Sequence, residues 1–457
     1  MLFVRPQELT GDLAYAIFHQ DTMLFGNQSP SQDSRYHEVL DLDELPSPLI
    51  KPRRMPKRII SWRGPRMVCF LLGALIACAI YLWYSRPPPP PWWPLTPFGD
   101  RKPEGFKVVG LIFYGRRDRV EVLDCYLKRN LAINGGYLDR VEWVANTKDE
   151  QDLEYLDELV QTSTAYKRVT LDELGFESIW QTVERGTLYI KIDDDVVYID
   201  DDAISQLVET KLSHPEAFVV SANIINSPFL GWLHYRMGAL HPYLPEIAEP
   251  YHSAMAYPTW RASSLPYWTG PSDYTFPIPQ KETPFIPIPL GAEGGPPRHN
   301  HRWLPLPRKQ DIYRTPVAHV DYSTFGFAWH SWAIAAQQHY SFLENLEKHQ
   351  QHLYHIGDNE GLWETSYQRQ SINFMAIWGD DVLDNLPFTD VDEQYLTVDV
   401  PKKLGKAAYV NTRALVAHFS FVSQPEVIQT DLLDRYKAYA AERVCPGHVF
   451  KFASHER

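Results

Sequence analysis

Apolar residues in the first part of the long C-terminal region alternate between short continuous runs and positions at helical spacing. Runs rich in β-branched and aromatic residues predict strands, whereas apolar residues three or four positions apart predict helices. The predicted strands span residues 108–113, 141–144, 166–169, 188–192 and 218–222, and the predicted helices span 118–131, 149–160, 171–183 and 200–212. This alternation predicts an α/β domain that has a mostly parallel sheet with helices on both faces.

The pattern is lost over residues 227–317, which are rich in Pro, Trp, Tyr and His. We predict an irregular insertion there, followed by helices at 327–346 and 366–378, a strand at 414–421 and a closing helix at 430–443. The aromatic residues of the insertion either form a wall on which sugar rings stack or hold long loops against the domain. The tryptophans concerned are Trp232, Trp260, Trp268 and Trp303.

An uncharged apolar run of 18 residues, Met67–Tyr84, precedes all of these elements. At about 1.5 Å per residue, a helix of this length spans roughly 27 Å, which is enough for a thin bilayer. Lysines and arginines cluster in residues 51–66, and close behind the run there is only Arg86. The positive-inside rule therefore predicts a single transmembrane signal anchor of type II at 67–84. Residues 1–66 would form a disordered cytosolic tail that ends in a basic collar.

Residues 85–105 contain five consecutive prolines, Pro87–Pro91, and predict a stiff stem behind the anchor. The region 106–457 would then form a lumenal domain of a Golgi or endoplasmic reticulum membrane protein. Cys125 and Cys445 both lie in this domain, where the compartment permits a disulfide without requiring one.

The charge balance limits the possible partners of the chain. The formal net charge is −13, and the region behind the anchor is acidic even when the tail and the collar are left out. An acidic surface argues against nucleic acid as a partner, because the phosphate backbone is bound mainly by lysines and arginines.

Three consecutive carboxylates, Asp193, Asp194 and Asp195, stand between the apolar runs 188–192 and 196–199. A strand that ends in Asp-x-Asp places hard oxygen ligands at the edge of a sheet, where a divalent cation completes its coordination with water and diphosphate oxygens. A solvated turn is the alternative. The similar run 200–202 precedes a helical pattern and is interpreted as a helix N-terminus. Because its apolar flanks bury the backbone, the first run is interpreted as a metal site that holds a nucleotide-sugar.

These features together resemble Golgi glycosyltransferases of the GT-A fold, in particular the β-galactosyltransferase and β-N-acetylglucosaminyltransferase families. The families share the type II anchor, the stem and a strand that ends approximately in vKvDDDvfv, which matches Lys191–Val197. A second motif, E-D-v-y-x-G followed by L-G, is echoed by Asp392–Thr397 and by Leu404-Gly405. Here the order of the two acids is swapped, and a threonine stands in place of the glycine. The whole chain also resembles fungal glycosyltransferase-like type II membrane proteins.

The resemblance implies a GT-A-like catalytic domain and a metal-dependent glycosyltransferase of the hexosyltransferase type. Such an enzyme moves a sugar from a nucleotide-sugar, expected to be UDP-linked, to a glycan, glycoprotein or glycolipid acceptor. It further implies that Mn²⁺ or Mg²⁺ is held by Asp193, Asp195 and a C-terminal histidine, for which His418 stands in the right order. A lone histidine in an apolar strand is also typical of a hydrogen-bonded core residue.

The remaining site residues follow from the same resemblance. Asp193 and Asp194 would contact the donor, and so would the turn residues Tyr114, Arg116 and Arg117, at the edge of the sheet that faces the uracil and the diphosphate.

A second carboxylate must take the proton from the acceptor hydroxyl. Glu393 or Asp392 is the preferred base, and Asp381 of the pair Asp380-Asp381 is its rival. A base placed for direct displacement implies an inverting mechanism.

Two other classes of function compete with this interpretation. A membrane-tethered pseudoenzyme or lectin would keep the fold without turnover, but it would need no base. A phosphoesterase would require several histidines and aspartates at short spacing. The nearest such pair, His299 and His301, lies in a proline-rich segment without strand context.

Overall fold

The computed structural model describes residues 102–247, 259–278, 285–323, 326–388 and 391–452. All of them belong to one compact unit. The predicted tail, membrane anchor and most of the stem lie outside the described residues. Within these described ranges, no helix combines the length and the apolar composition that crossing a membrane requires.

Nine strands form the central sheet, and two short strands pair separately. The strands in chain order are β1 Lys107–Tyr114, β2 Arg140–Ala145, β3 Tyr166–Thr170, β4 Thr187–Asp193, β5 Val196–Ile199, β6 Ala217–Ile225, β7 Tyr243–Pro245, β8 Trp303–Pro305, β9 Leu362–Glu364, β10 Phe374–Trp378 and β11 Ala407–His418. The order across the large sheet is β3-β2-β1-β4-β10-β6-β11-β5, with β9 also paired to β11, and β7 pairs with β8. The predicted strands of the first half are thus confirmed.

The sheet is mixed, but six of its nine strands share one direction, in agreement with the prediction of a mostly parallel sheet. β3, β2, β1 and β4 run parallel, as do β6 and β11, whereas β10 lies antiparallel between β4 and β6. β5 and β9 are also antiparallel to β11. The antiparallel β10 comes from the segment 366–378, where the prediction of a helix is wrong. Its start has Ser366 and Tyr367 at positive φ, which ends any helix there. Its five apolar residues form β10, since a short continuous apolar run fits a buried strand as well as a helix.

Helices cover both faces of the sheet, as predicted. They are α1 Val120–Asn130, α2 Glu150–Val160, α3 Phe176–Trp180, α4 Ala203–Ser213, α5 Pro228–Arg236, α6 Phe327–His330, α7 Trp332–Glu347, α8 Gly379–Leu383, α9 Asp392–Gln394, α10 Val400–Leu404 and α11 Leu432–Arg443. Alternate residues of β1 point to opposite faces. Val108 and Ile112 join the larger core, which α1, α2, α4, α7 and α11 cover, while Val109 and Leu111 join a smaller core beneath α3, α8 and α10.

Two predicted helices differ from the structure in their extent. The helix expected at 171–183 is reduced to α3, because Gly175 adopts a backbone conformation with φ 149° that is open mainly to glycine and the helix can begin only behind it. The helix expected at 327–346 is divided into α6 and α7, since Ser331 is extended between them.

The described parts of the insertion 227–317 are mostly irregular, and their tryptophans hold the loops in place. The indole Nε1 of Trp260 donates to Glu442, that of Trp268 donates to the carbonyl of Pro245, and Trp303 packs edge-on against Trp332 with ring centroids 5.6 Å apart. Trp232 is 45% exposed on α5. Trp260, Trp268 and Trp303 therefore hold loops against the domain, whereas Trp232 does not show this role.

A disulfide joins Cys125 in α1 to Cys445, two residues behind α11. The sequence left this pairing open. The bond connects the first and last helices of the larger core across a separation of 320 residues.

Candidate active site

The ends of the central strands surround a cavity of about 510 Å³. β1, β2, β4, β6 and β11 contribute the residues at or just behind their carboxyl ends, and the antiparallel β10 contributes the residues before its amino end. Chain segments that are far apart in the sequence therefore meet at one edge of the sheet. The lining residues are Phe113, Gly115, Arg116, Asn146, Phe176, Lys191, Asp193, Asp194, Asp195, Pro228, Phe229, Trp329, Arg369, Gln370, Ser371, Ile372, Asn373, Val391, Asp392, Glu393, His418, Ser420, Phe421 and Val422.

The acidic run forms the connection between β4 and β5. β4 ends at Asp193 and β5 begins at Val196, so Asp194 and Asp195 make a tight turn on the sheet edge. Asp193 is partly exposed and accepts a 2.7 Å hydrogen bond from the amide of Asn373. The side chains of Asp194 and Asp195 are buried.

Asp193, Asp195 and His418 form a cluster in which one ligand atom of each residue lies within 4.8 Å of the others. β11 reaches the cluster because it pairs with β5, and a register shift between Ala417 and His418 marks its last residue. His418 Nε2 lies 3.0 Å from Asp195 Oδ1. Two carboxylates and one imidazole are a suitable ligand set for a divalent cation.

An unsatisfied polar atom of His418 supports a ligand at this cluster. His418 Nδ1 is buried and makes no hydrogen bond to any residue that the structure describes, while the Nε2 atom of the same ring faces Asp195 Oδ1. Native proteins rarely leave buried polar atoms in this condition. Burial opposes ionisation of Asp195, but the His418 ring and the Arg116 guanidinium outweigh it and hold the pKa of this carboxyl well below its usual range. A carboxylate that stays ionised is ready to bind a cation.

Asp194 fixes the turn behind β1. Its Oδ2 atom accepts hydrogen bonds of 2.7 Å from the backbone N–H groups of Gly115 and Arg116. The Arg116 guanidinium contacts Asp194 at 3.2 Å and Asp195 at 2.8 Å. Asp194 and Arg116 therefore line the cavity and also hold its wall.

The two other residues predicted in this turn point away from the cavity. The hydroxyl of Tyr114 donates to the carbonyl of Asp152 at 2.6 Å, and its ring is buried in the larger core. The Arg117 guanidinium donates to Gln151 on α2 at 2.7 Å. Among the described residues of β1, Phe113 presents the ring that lines the cavity.

Asp392 and Glu393, at the start of α9, line the same cavity as the metal cluster. Glu393 accepts a 2.6 Å hydrogen bond from Arg369, and Asp392 accepts one of 3.1 Å from the indole of Trp180. Burial raises the pKa of Glu393 even though the neighbouring Arg369 lowers it. A carboxylate with a raised pKa suits a general base.

The rival pair Asp380-Asp381 lies at the opposite end of the strands from the cavity, directly behind β10. β10 runs antiparallel to β4, so that Phe374 pairs with Ile192 near the cavity and Trp378 pairs with Leu188 far from it. α8 begins directly behind Trp378. Asp381 contacts Lys406 at 2.9 Å and Lys211 at 3.7 Å. The structure therefore does not bring Asp381 together with the metal cluster.

Several lining residues were missed from the sequence. Lys191 stands inside the acidic motif and contacts Asp193, so its position could have indicated a role. Arg369, Gln370 and Asn373 lie in the segment that was predicted to be helical. Trp329, which has no neighbouring acidic motif, gave no indication.

Comparison with solved structures finds glucosyl-3-phosphoglycerate synthase from Mycobacterium tuberculosis. Its complex with Mn²⁺ and uridine-diphosphate-glucose is 11% identical, and the match covers 26% of this chain and 44% of that chain with a TM-score of 0.21. Its complex with Mg²⁺ and uridine-diphosphate gives the same values. Its complex with phosphoglyceric acid is 12% identical, with coverages of 30% and 51% and a TM-score of 0.22.

This chain thus spans about half the length of the solved structures that it matches. No protein-family model and no curated protein matches the sequence.

Proposed function

We propose that this protein is a metal-dependent glycosyltransferase that moves a sugar from a nucleotide-sugar to an acceptor hydroxyl. One observation carries the proposal: the cluster of Asp193, Asp195 and His418 shares a cavity with a separate carboxylate pair, Asp392 and Glu393. A cation site and a base in one cavity are the two parts that this reaction requires.

Asp193, Asp195 and His418 would hold Mn²⁺ or Mg²⁺. When bound, the cation stabilises the negative charge that develops on the departing nucleoside diphosphate. Arg116 adds a fixed positive charge at the same place, and its ion pairs with Asp194 and Asp195 keep the guanidinium in position. The phenyl ring of Phe113 and the amide of Asn146 line the neighbouring part of the cavity, where a nucleobase would lie.

Glu393 would take the proton from the attacking hydroxyl at Oε1 or Oε2. Its raised pKa makes it a stronger base than an exposed glutamate, and Arg369 holds its orientation. Asp392 is already committed to the Trp180 indole, which favours Glu393 over Asp392. Displacement assisted by one base in one step gives an inverted product.

The finer parts of the proposal rest on the resemblance of the sequence to Golgi-type transferases. They are a UDP-linked hexosyl donor, a glycan, glycoprotein or glycolipid acceptor, and a type II anchor at 67–84 that places the domain in the lumen of the Golgi or endoplasmic reticulum.

The test is release of nucleotide from a panel of UDP- and GDP-sugars by the full-length chain, with Mn²⁺ or with EDTA. Asp195→Asn should abolish the metal-dependent release. The matched control is Asp201→Asn, because Asp201 stands in the chain's other acidic run and is bound to Arg129 at 2.7 Å on the surface.

Metal-dependent release that survives Asp201→Asn and is lost in Asp195→Asn would support the proposal. If no nucleotide is released and none raises the melting temperature, the protein is not a transferase. A transferred product that keeps the donor's anomeric configuration would exclude the inverting mechanism.

A further inference from the structure

The cavity has two chemically different sides. The side behind β1 and β2 contains Arg116, Asn146 and two phenyl rings, Phe113 and Phe176, whose centroids are 6.1 Å apart. The opposite side is formed by the segments behind β6 and β11 together with α6. Apart from His418, the lining residues of these segments are uncharged and mostly apolar. They are Pro228, Phe229, Trp329, Ser420, Phe421 and Val422.

The aromatic rings on this second side are held by the fold. Phe229 stacks on Trp363 with centroids 4.9 Å apart and an interplanar angle of 16°. Trp329 meets the ring of Phe421 edge-on at 6.2 Å, and its carbonyl accepts a 2.6 Å hydrogen bond from the Ser423 hydroxyl. Rings fixed in this way offer flat apolar surfaces without a further loss of conformational entropy on binding.

Two buried amides line the same cavity as these rings. Gln370 is only 3% exposed, and both polar atoms of its side chain lack a hydrogen-bond partner among the described residues. Asn373 is 7% exposed, and its Oδ1 atom is likewise unpartnered, although its N–H group binds Asp193. Buried polar atoms that line a cavity and have no protein partner are expected to bind a ligand or water there.

The charges of the lining restrict what this ligand can be. Five carboxylates and three cations line the cavity, and each cation is already paired with a carboxylate. Arg116 pairs with Asp194 and Asp195, Lys191 with Asp193, and Arg369 with Glu393. A divalent cation and a nucleoside diphosphate would bring about equal and opposite charges. The lining would therefore keep its excess of carboxylates over cations, and this negative charge would repel an anionic acceptor.

We propose that this second side is the acceptor subsite and that it takes a neutral sugar. The ring of the sugar would pack on Phe229 and Trp329, and its hydroxyl groups would bond the amides of Gln370 and Asn373. This assignment rests on the proposed transferase function. It differs from that proposal in naming the residues that select the acceptor and in excluding phosphorylated and carboxylated acceptors.

The test is calorimetric titration of the full-length chain loaded with Mn²⁺ and the nucleoside diphosphate that raises its melting temperature. The probes are the methyl glycosides of galactose, glucose, mannose and N-acetylglucosamine, together with two charged counterparts, glucose 6-phosphate and methyl glucuronide. We expect at least one neutral glycoside to bind about tenfold more tightly than either charged sugar.

Trp329→Ala should weaken the binding of that glycoside by about tenfold, while the Kd of the nucleotide stays within about twofold. Trp329→Leu keeps an apolar side chain and serves if the alanine variant does not fold. The matched control is Trp232→Ala, because Trp232 is an exposed tryptophan on α5 that does not line the cavity. Binding by this control should equal that of the natural chain.

Tighter binding of a charged sugar, or equal loss in the Trp329 and Trp232 variants, would overturn the subsite. If the proposed transferase function is wrong, the result is different: neutral glycosides bind, but no nucleotide does. In that case the aromatic side is a lectin site, and its role as an acceptor subsite is wrong.

Discussion

At the scale of single residues, the three carboxylates of the acidic run have three different environments. Asp193 is partly exposed and contacts Lys191 and Asn373. Asp194 is buried and holds the backbone of the next turn, whereas Asp195 is buried against His418 and Arg116. Identical side chains one position apart are therefore expected to respond differently to substitution.

Asp194→Ala should destabilise the fold more than Asp193→Ala does. It removes the acceptor of the hydrogen bonds from the N–H groups of Gly115 and Arg116, and a hydrogen bond to a charged group contributes about 1.5–3 kcal/mol. Asp193→Ala should instead weaken Mn²⁺ binding with a smaller change in the free energy of unfolding. Urea unfolding and Mn²⁺ titration of the two variants separate these effects, and equal loss of stability would contradict the assignment.

Glu393 should set the acidic limb of the pH–activity profile. Because a base works in its deprotonated form and burial raises this pKa, kcat/KM should fall with decreasing pH at values above the 4.5 of an ordinary glutamate. Glu393→Gln should lower kcat by about 10²–10⁴-fold and remove this limb. Arg369→Gln should move the limb to higher pH, since the guanidinium stabilises the carboxylate.

Asp381→Asn is the matched control for the rival base. Its carboxylate lies at the opposite end of the strands from the cavity, beside Lys406 and Lys211, so the variant should keep the natural pH profile. Loss of the acidic limb in this variant, with its retention in Glu393→Gln, would show that the base was assigned to the wrong pair.

At the scale of elements, the last residues of β11 are the part of the site that depends most on distant helices. The carbonyl of Phe419, next to His418, accepts a 3.0 Å hydrogen bond from His339 on α7, and His339 is in turn bonded to Tyr436 on α11 at 2.7 Å. α11 leads to Cys445 and hence to α1 through the disulfide. The position of His418 is therefore coupled to the packing of three helices.

Cys445→Ser should lower the free energy of unfolding by about 2–5 kcal/mol, because the disulfide that it removes closes a very long loop of the unfolded chain. The measurement is urea unfolding with and without a reducing agent. The reductant should destabilise the natural chain and have no further effect on Cys445→Ser. If the reducing agent lowers the free energy of unfolding of Cys445→Ser as well, another cysteine is responsible for the destabilisation.

At the scale of the whole molecule, the larger core contains histidines that are held in the neutral form. Burial lowers the pKa of His234 to about 3, and that of His301 and of His339 to about 4. His234 bonds Asn223 at 2.8 Å, and the ring of His301 bonds backbone carbonyls. These side chains remain uncharged over a pH range in which the same residues in the unfolded chain become protonated.

Acid should therefore destabilise the protein from about pH 6.5 downwards, which is well above the range in which carboxylates titrate. Between the ordinary value of 6.5 and the lowered values, the unfolded chain binds more protons than the folded one, so the free energy of unfolding falls as the pH falls. The slope is about 1.4 kcal/mol per pH unit for each such histidine.

Urea unfolding at a series of pH values measures this slope. His234→Asn should reduce it, whereas the exposed His352→Gln should leave it unchanged. A midpoint that is constant between pH 7 and pH 5 would contradict neutral burial.

Much of the first half of the fold could be predicted from the sequence, because each element there is defined by its own residues. The runs that form β1, β2, β3 and β4 are apolar and bounded by polar turns, and the acidic run follows β4 directly. The placement of Asp193 at a sheet edge therefore needs only the local pattern and the general rule for parallel strands. The composition of the insertion left open whether its tryptophans stack on sugars or hold the loops, and only the packing of Trp260, Trp268 and Trp303 decides for the second.

The rest was decided by tertiary structure. The residues of the apolar run that becomes β10 would fit a buried helix equally well. The run forms a strand because β4 and β6 each offer unpaired backbone groups with which it bonds. That same pairing carries Gln370 and Asn373 to the cavity and Asp381 away from it. Glu393, His418 and Trp329 reach the site from segments more than a hundred residues behind Asp193, through strand pairing and helix packing that the surrounding residues do not encode alone. The sequence by itself determined which chemistry is present, and the packing of distant segments decided which of these groups act together.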